Sequence, residues 1–158
     1  EFRRVLFRSN VVVSAGVPVL LTLAPETADP ALLAEAKALG VMLSAGHSMA
    51  DAAQARAALA QGVTMATHLF NAMSPLQNRA PGVVGAALEN QDAWCGIIVD
   101  GHHVDPVTLR LALRCRPADR FMLVSDAMPS GIRHRPNSSG VGASAASSEL
   151  SANIAAPA

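Results

Sequence analysis

VMLSAGHSMADAAQARAALAQGVTMATHLFNAM (41–73) is the stretch that decides the fold. It opens on the unbroken apolar run Val41–Ala45, crosses an alanine-rich segment closed by Gly62, and enters a second apolar run, Val63–Thr67. Continuous rather than alternating apolarity marks strands buried on both faces, as in a parallel sheet, and the segment between them has helical length. Ser48 with Asp51 reads as a capping box and Gly62 as the helix stop. The unit is strand, helix, strand. Each strand also runs into a histidine: Gly46-His47-Ser48 follows the first, and His68 the second.

The same pattern extends in both directions, from Val17 to Asp126. Val19–Leu23 lies upstream, and Cys95–Val99 and Phe121–Val124 lie downstream. Asp29-Pro30 and Asp105-Pro106 each supply an N-cap and a proline for the first helical position, ahead of helices ending at Gly40 and Cys115. Alternating strands and helices at this spacing predict an α/β fold. Five strands are too few to close an eight-stranded barrel, which takes about 250 residues. An open doubly wound sheet and part of a barrel both remain open on periodicity alone.

Composition excludes several classes. Apolar residues make up 51% of the chain, enough for a packed core and against wholesale disorder. Twelve basic residues balance twelve acidic ones, so the basic surface that nucleic-acid binding needs is absent. Cys95 and Cys115 have no CxxC spacing and suggest neither a disulfide framework nor a zinc knuckle, which makes a reducing cytoplasm the expected compartment. Arg3, Arg4 and Arg8 ahead of Val11–Ala24 imitate a signal peptide. That apolar stretch contains Gly16 and Pro18, is shorter than the roughly 20 residues a bilayer span requires, and ends at Glu26, so it reads as a buried strand and predicts no membrane segment. Residues 1–9 and the Ser-, Ala-, Asn- and Gly-rich residues 131–158 show no period that would join a core. They read as foreign sequence (an expression scar, read-through or a shifted frame) or as disordered tails flanking a barrel segment over 10–130.

The chemistry gathers where strands end. His47, His68 and the pair His102-His103 follow three of the runs, and Ser125-Asp126 follows a fourth. Parallel strands bring their carboxyl ends to one face, where α/β proteins place their sites. Imidazole nitrogens and carboxylates suit a catalytic divalent ion, which acidifies water, and a nearby aspartate can move the proton. Taken singly, each residue has a plainer reading: a hydrogen-bonded histidine, a capping aspartate, or, for Asn71 and Arg79, polar residues of a Pro/Gly-rich loop. Recurrence at successive strand ends favours the site. Glu26 is a further strand-end carboxylate, and Cys95 reads as core packing.

The segments TLAPE (22–26), SAGHS (44–48), ATHLFNAM (66–73), the loop NRAPGVVGA (78–86), GIIVDGHHVD (96–105) and LVSDAMP (123–129) together resemble the N-acetylglucosamine-6-phosphate deacetylases of the amidohydrolase superfamily. The resemblance covers about residues 18–130 and implies five βα units of an incomplete TIM-type (β/α)8 barrel. It implies His47 and His68 as ligands of a divalent metal, zinc or iron, and Asp126 as the catalytic base that later protonates the amine. Asn71, Ala72 and His103 would lie along an amino-sugar phosphate, and Arg79 would reach the phosphate held by the neighbouring subunit of a homodimer. A guanidinium fork suits a phosphate. The family's metal-binding glutamate sits in a His-x-Glu-Gly-Pro word that does not occur here, and Glu26 is not its equivalent. The chain alone is therefore expected to be inactive. Another amidohydrolase, a deaminase or cyclic-amide hydrolase, and a non-catalytic barrel fragment are the alternatives.

Overall fold

The computed structural model describes Val13 and residues 16–127, so the two ends read above as foreign or disordered lie outside the described residues. Five strands carry the fold: β1 Leu20–Leu23, β2 Met42–Ala45, β3 Val63–Ala66, β4 Trp94–Ile97 and β5 Phe121–Leu123. Helices α1 Pro30–Ala38, α2 Ala52–Gln61, α3 Gly82–Glu89 and α4 Pro106–Cys115 fill the four connections between them.

The strands form one parallel sheet in the order β1-β2-β3-β4-β5. That order answers the question periodicity left open. A doubly wound sheet reverses its strand order at a switch point. Here five strands advance without reversal, and right-handed crossovers then place every helix on the same side. The result is the wall of a barrel, five of the eight strands of a TIM-type fold with the four helices that connect them.

Side chains sort accordingly. Leu21, Leu23, Leu43, Ala45, Val63 and Cys95 point from the strands into one core with Leu33 and Ala36 of α1, Ala55 and Ala58 of α2, and Val83, Val84 and Ala87 of α3. Alanines at these helix positions let the helices lie close to the sheet. The opposite face of the first three strand lines carries a cluster of hydroxyls. Thr67 Oγ1 lies 2.9 Å from Thr22 Oγ1 and 2.6 Å from Ser44 Oγ, so three hydroxyls satisfy one another inside the barrel wall.

Local signals explain the helices. Asp29 and Asp105 cap α1 and α4 by accepting from Ala31 N and Val107 N, with proline next in each case. Gly62 ends α2 at φ 112°. Two expectations need correction. The capping box of α2 is Asp51 with Gln54, not Ser48 with Asp51; the Ser48 hydroxyl donates to Glu26 instead. The stretch 78–86 is a loop only in its first half, because Gly82 begins α3.

Arg116, at the end of α4, is the one buried charge of the core among the described residues. Its guanidinium donates to Ala87 O at 2.6 Å, to Cys95 Sγ at 3.0 Å and to Ala93 O, and lies 5.5 Å from the centre of the Phe121 ring. Burial pushes the Cys95 thiol up to about 11, against the opposing pull of Arg116, consistent with an inert packing residue.

Candidate metal centre at the strand ends

Strands β2, β3 and β5 leave the sheet through left-handed backbone turns. The non-glycine residues at positive φ among the described residues are His47 (49°), His68 (34°), Phe70 (80°), Ala72 (47°) and Asp126 (50°). All follow β2, β3 or β5, at the carboxyl ends. Left-handed conformations cost a non-glycine residue about 1–3 kcal/mol and persist where surrounding structure over-determines them, which is most often at functional sites. His47, His68, Ala72 and Asp126 are residues the sequence had singled out.

His47 and His68 meet. Their Nε2 atoms are 3.1 Å apart and their rings stand edge to face, with centroids at 4.8 Å. Two nitrogens bound to one tetrahedral zinc at about 2.0–2.1 Å are about 3.3 Å apart, so the pair fits two ligands of a divalent ion with little adjustment. His68 is buried and His47 exposed, which leaves the approach on the His47 side. His68 Nδ1 is buried without a hydrogen-bond partner among the described residues, whereas a ligating imidazole ordinarily donates that N–H. No third His, Cys, Asp or Glu joins the pair within ligand reach among the described residues.

Backbone bonds hold the two histidines in register. Thr67 N donates to Ala45 O at 2.8 Å, and Leu69 N donates to Gly96 O at 2.7 Å, tying the exits of β2, β3 and β4 together. Gly96 allows that approach to be close, since a Cβ there would stand 3.1 Å from His68 N and the turn would have to give by a few tenths of an ångström.

The remaining candidates are placed but not gathered. Asn71 and Ala72 lie on the turn after His68, and Asn71 N donates to His68 O at 2.9 Å. Arg79 is exposed between that turn and α3, and Asp126 is exposed beyond β5. His103 sits after β4, its Nδ1 2.6 Å from Asp100 Oδ2. Asp100 Oδ1 also accepts the backbone N–H groups of His102 and His103, at 2.8 and 2.9 Å. Those N–H groups, His103's foremost, and then the His103 ring hold the Asp100 carboxyl well below the usual carboxylate range. Sequence reasoning passed over Asp100, although its place at the start of an Asp-Gly turn is the signal of a side chain that caps its own loop.

It also undervalued Glu26. Glu26 accepts from Ser48 Oγ at 2.6 Å and from Met49 N at 2.7 Å, bridging the exits of β1 and β2. Partial burial pushes its carboxyl up, but the Ser48 hydroxyl and the backbone N–H groups of Glu26 and Met49 outweigh that and hold it below its ordinary value.

No family model matches the chain. It is 44% identical over 109 residues to an N-acetylgalactosamine-6-phosphate deacetylase of Shewanella sp. (strain ANA-3), covering 69% of this chain and 28% of that protein. An N-acetylglucosamine-6-phosphate deacetylase of Danio rerio is 44% identical over 115 residues, with 69% of this chain and 28% of that protein covered. Among solved structures, the N-acetylglucosamine-6-phosphate deacetylase of Pasteurella multocida superposes with a TM-score of 0.68 at 38% identity, over 77% of this chain and 32% of that one. The chain thus spans about 28% of the length of the curated relatives it matches. Over that span, in sequence and in fold, it is similar to the amino-sugar 6-phosphate deacetylases.

Proposed function

We propose that this chain carries the metal-ligand and proton-transfer half of a site that hydrolyses the acetamide of N-acetylglucosamine 6-phosphate to glucosamine 6-phosphate and acetate. The observation that carries the reading is the 3.1 Å approach of His47 Nε2 and His68 Nε2 at adjacent strand ends, within a segment whose relatives are named as such deacetylases.

His47 and His68 would hold a divalent ion, zinc or iron. When bound, that ion supplies Lewis-acid stabilisation of developing negative charge and a water acidic enough to react at neutral pH. Asp126 takes a proton from water as the new C–O bond forms at the acetyl carbon, and returns it to nitrogen as the C–N bond breaks. Acetate and the free amine leave. Asn71, Ala72 and His103 would line the sugar phosphate, His103 with its ring fixed by Asp100. Arg79, exposed and free to extend, suits the phosphate held by a partner subunit in a homodimer. Among the described residues no helix is long and apolar enough to cross a membrane. A cytoplasmic place for the enzyme is proposed from its two cysteines, whose spacing suits neither a disulfide framework nor a zinc knuckle.

A second reading has a specific ground. The Shewanella relative is named for the galactosamine epimer, so N-acetylgalactosamine 6-phosphate is an alternative substrate. The test grafts residues 18–127 in place of the matching segment of the Shewanella enzyme and assays amine release from both sugar phosphates with added zinc. The reading predicts turnover that Asp126→Asn lowers by at least about a hundredfold, as expected on losing an acid–base group. Faster turnover of the galactosamine compound selects the second reading. A folded chimera releasing amine from neither contradicts both.

A further inference from the structure

His47 holds a conformation that its own backbone disfavours, so something must hold it there. On its N-terminal side β2 does so. On its C-terminal side no strand continues; instead Ser48 and Met49 are both bound by one carboxylate, that of Glu26, at 2.6 and 2.7 Å. Ser48 is fully buried and uses every polar group it has: its N–H donates to Ala72 O at 3.1 Å, its carbonyl accepts from Ser74 N at 2.9 Å, and its hydroxyl donates to Glu26 while accepting from Ala50 N at 3.2 Å. Ser74 in turn donates its hydroxyl to Ala50 O at 2.6 Å. The exits of β1, β2 and β3 are therefore joined at Ser48.

We infer that Glu26 is a positioning residue for the metal centre. Through Ser48 and Met49 it fixes the His47 backbone at the angle that turns Nε2 towards His68, and through Ser48 it ties that turn to the Asn71-Ala72 turn. Groups that orient ligands set metal affinity through the preorganisation they impose, typically by 10- to 100-fold. A carboxylate is suited to the task because it accepts from a hydroxyl and an amide at once, both bonds being charge-assisted. A glutamine side chain can keep much of this, its oxygen accepting from Met49 N and its amide donating to Ser48 Oγ. Alanine can keep neither bond. The inference rests on the metal reading of His47 and His68.

The experiment titrates zinc into the full chain by calorimetry, comparing wild type with Glu26→Ala, Glu26→Gln, Ser48→Ala and His47→Ala, each checked for native circular dichroism. Glu26→Ala should weaken zinc binding by about tenfold or more, and Glu26→Gln should recover most of that loss. Recovery by the amide is a result that simple loss of stability does not produce. If Glu26→Ala does not fold, Ser48→Ala, which leaves the Met49 bond in place, carries the same expectation. Native-like Glu26→Ala or Ser48→Ala binding zinc as tightly as wild type, while His47→Ala loses binding, overturns the inference alone. Binding that His47→Ala leaves untouched overturns the metal reading, and the inference with it.

Discussion

His47 Nε2 and His68 Nε2 face each other at 3.1 Å, although the two residues leave different strands and one is exposed while the other is buried. Their approach follows from the sheet. β2 and β3 are parallel neighbours, with Ala45 opposite Ala66, and each histidine comes two residues after that pair and turns through a left-handed backbone. The consequences divide between the residues that hold this edge and the core beneath it.

Gly82 packs closely against Ser74 and Pro75. Its φ is 62°, and a Cβ built there would lie 2.5 Å from Ser74 O, an atom that also accepts from Val84 N. Gly82→Ala should therefore cost about 2 kcal/mol or more, from left-handed strain plus displacement of Ser74. Urea denaturation measures it; a loss under about 0.5 kcal/mol would show that the contact relaxes freely.

Arg116 binds the core at the far end of the sheet. Arg116→Met keeps the volume but leaves Ala87 O and Ala93 O unpaired, at about 1–3 kcal/mol for each buried carbonyl. The expected loss is about 2–6 kcal/mol in urea denaturation. A neutral result would mean that water reaches both carbonyls.

Cys95 gives the chain an alkaline limb. The folded state keeps the thiol proton up to about 11, whereas the unfolded chain loses it near the ordinary value of 9.0. Below 9.0 both states are protonated and the contribution is fully present; between 9.0 and about 11 the unfolded state binds fewer protons, so stability falls as pH rises. Thermal unfolding at intervals across that window should show a decline that Cys95→Ala flattens. An unchanged slope in the variant would assign the decline to other groups.

The sequence was most legible where one residue type has one physical use. Asp29-Pro30, Asp105-Pro106 and Gly62 mark helix ends, and the structure uses them so. The strand-end histidines were legible because parallel strands share an exit face. What escaped were residues whose partners lie far along the chain. Ser48 has a capping residue's chemistry and spacing, and only the neighbouring strand reveals that its hydroxyl belongs to Glu26, 22 positions upstream. Gly82 looked like loop punctuation because a Pro-Gly pair signals a turn, yet Ser74, stationed opposite, receives the first N–H groups of α3 at Val83 and Val84. Strand order was equally invisible to periodicity, since barrel walls and doubly wound sheets share the same alternating elements.

On the proposed function, His47 and His68 hold one divalent ion together. X-ray absorption at the zinc edge of the loaded full chain should then show two imidazole nitrogens at about 2.0–2.1 Å, falling to one on His68→Ala with zinc affinity reduced. A spectrum without imidazole scattering, or one that His47→Ala and His68→Ala both leave unchanged, would rule the shared ion out.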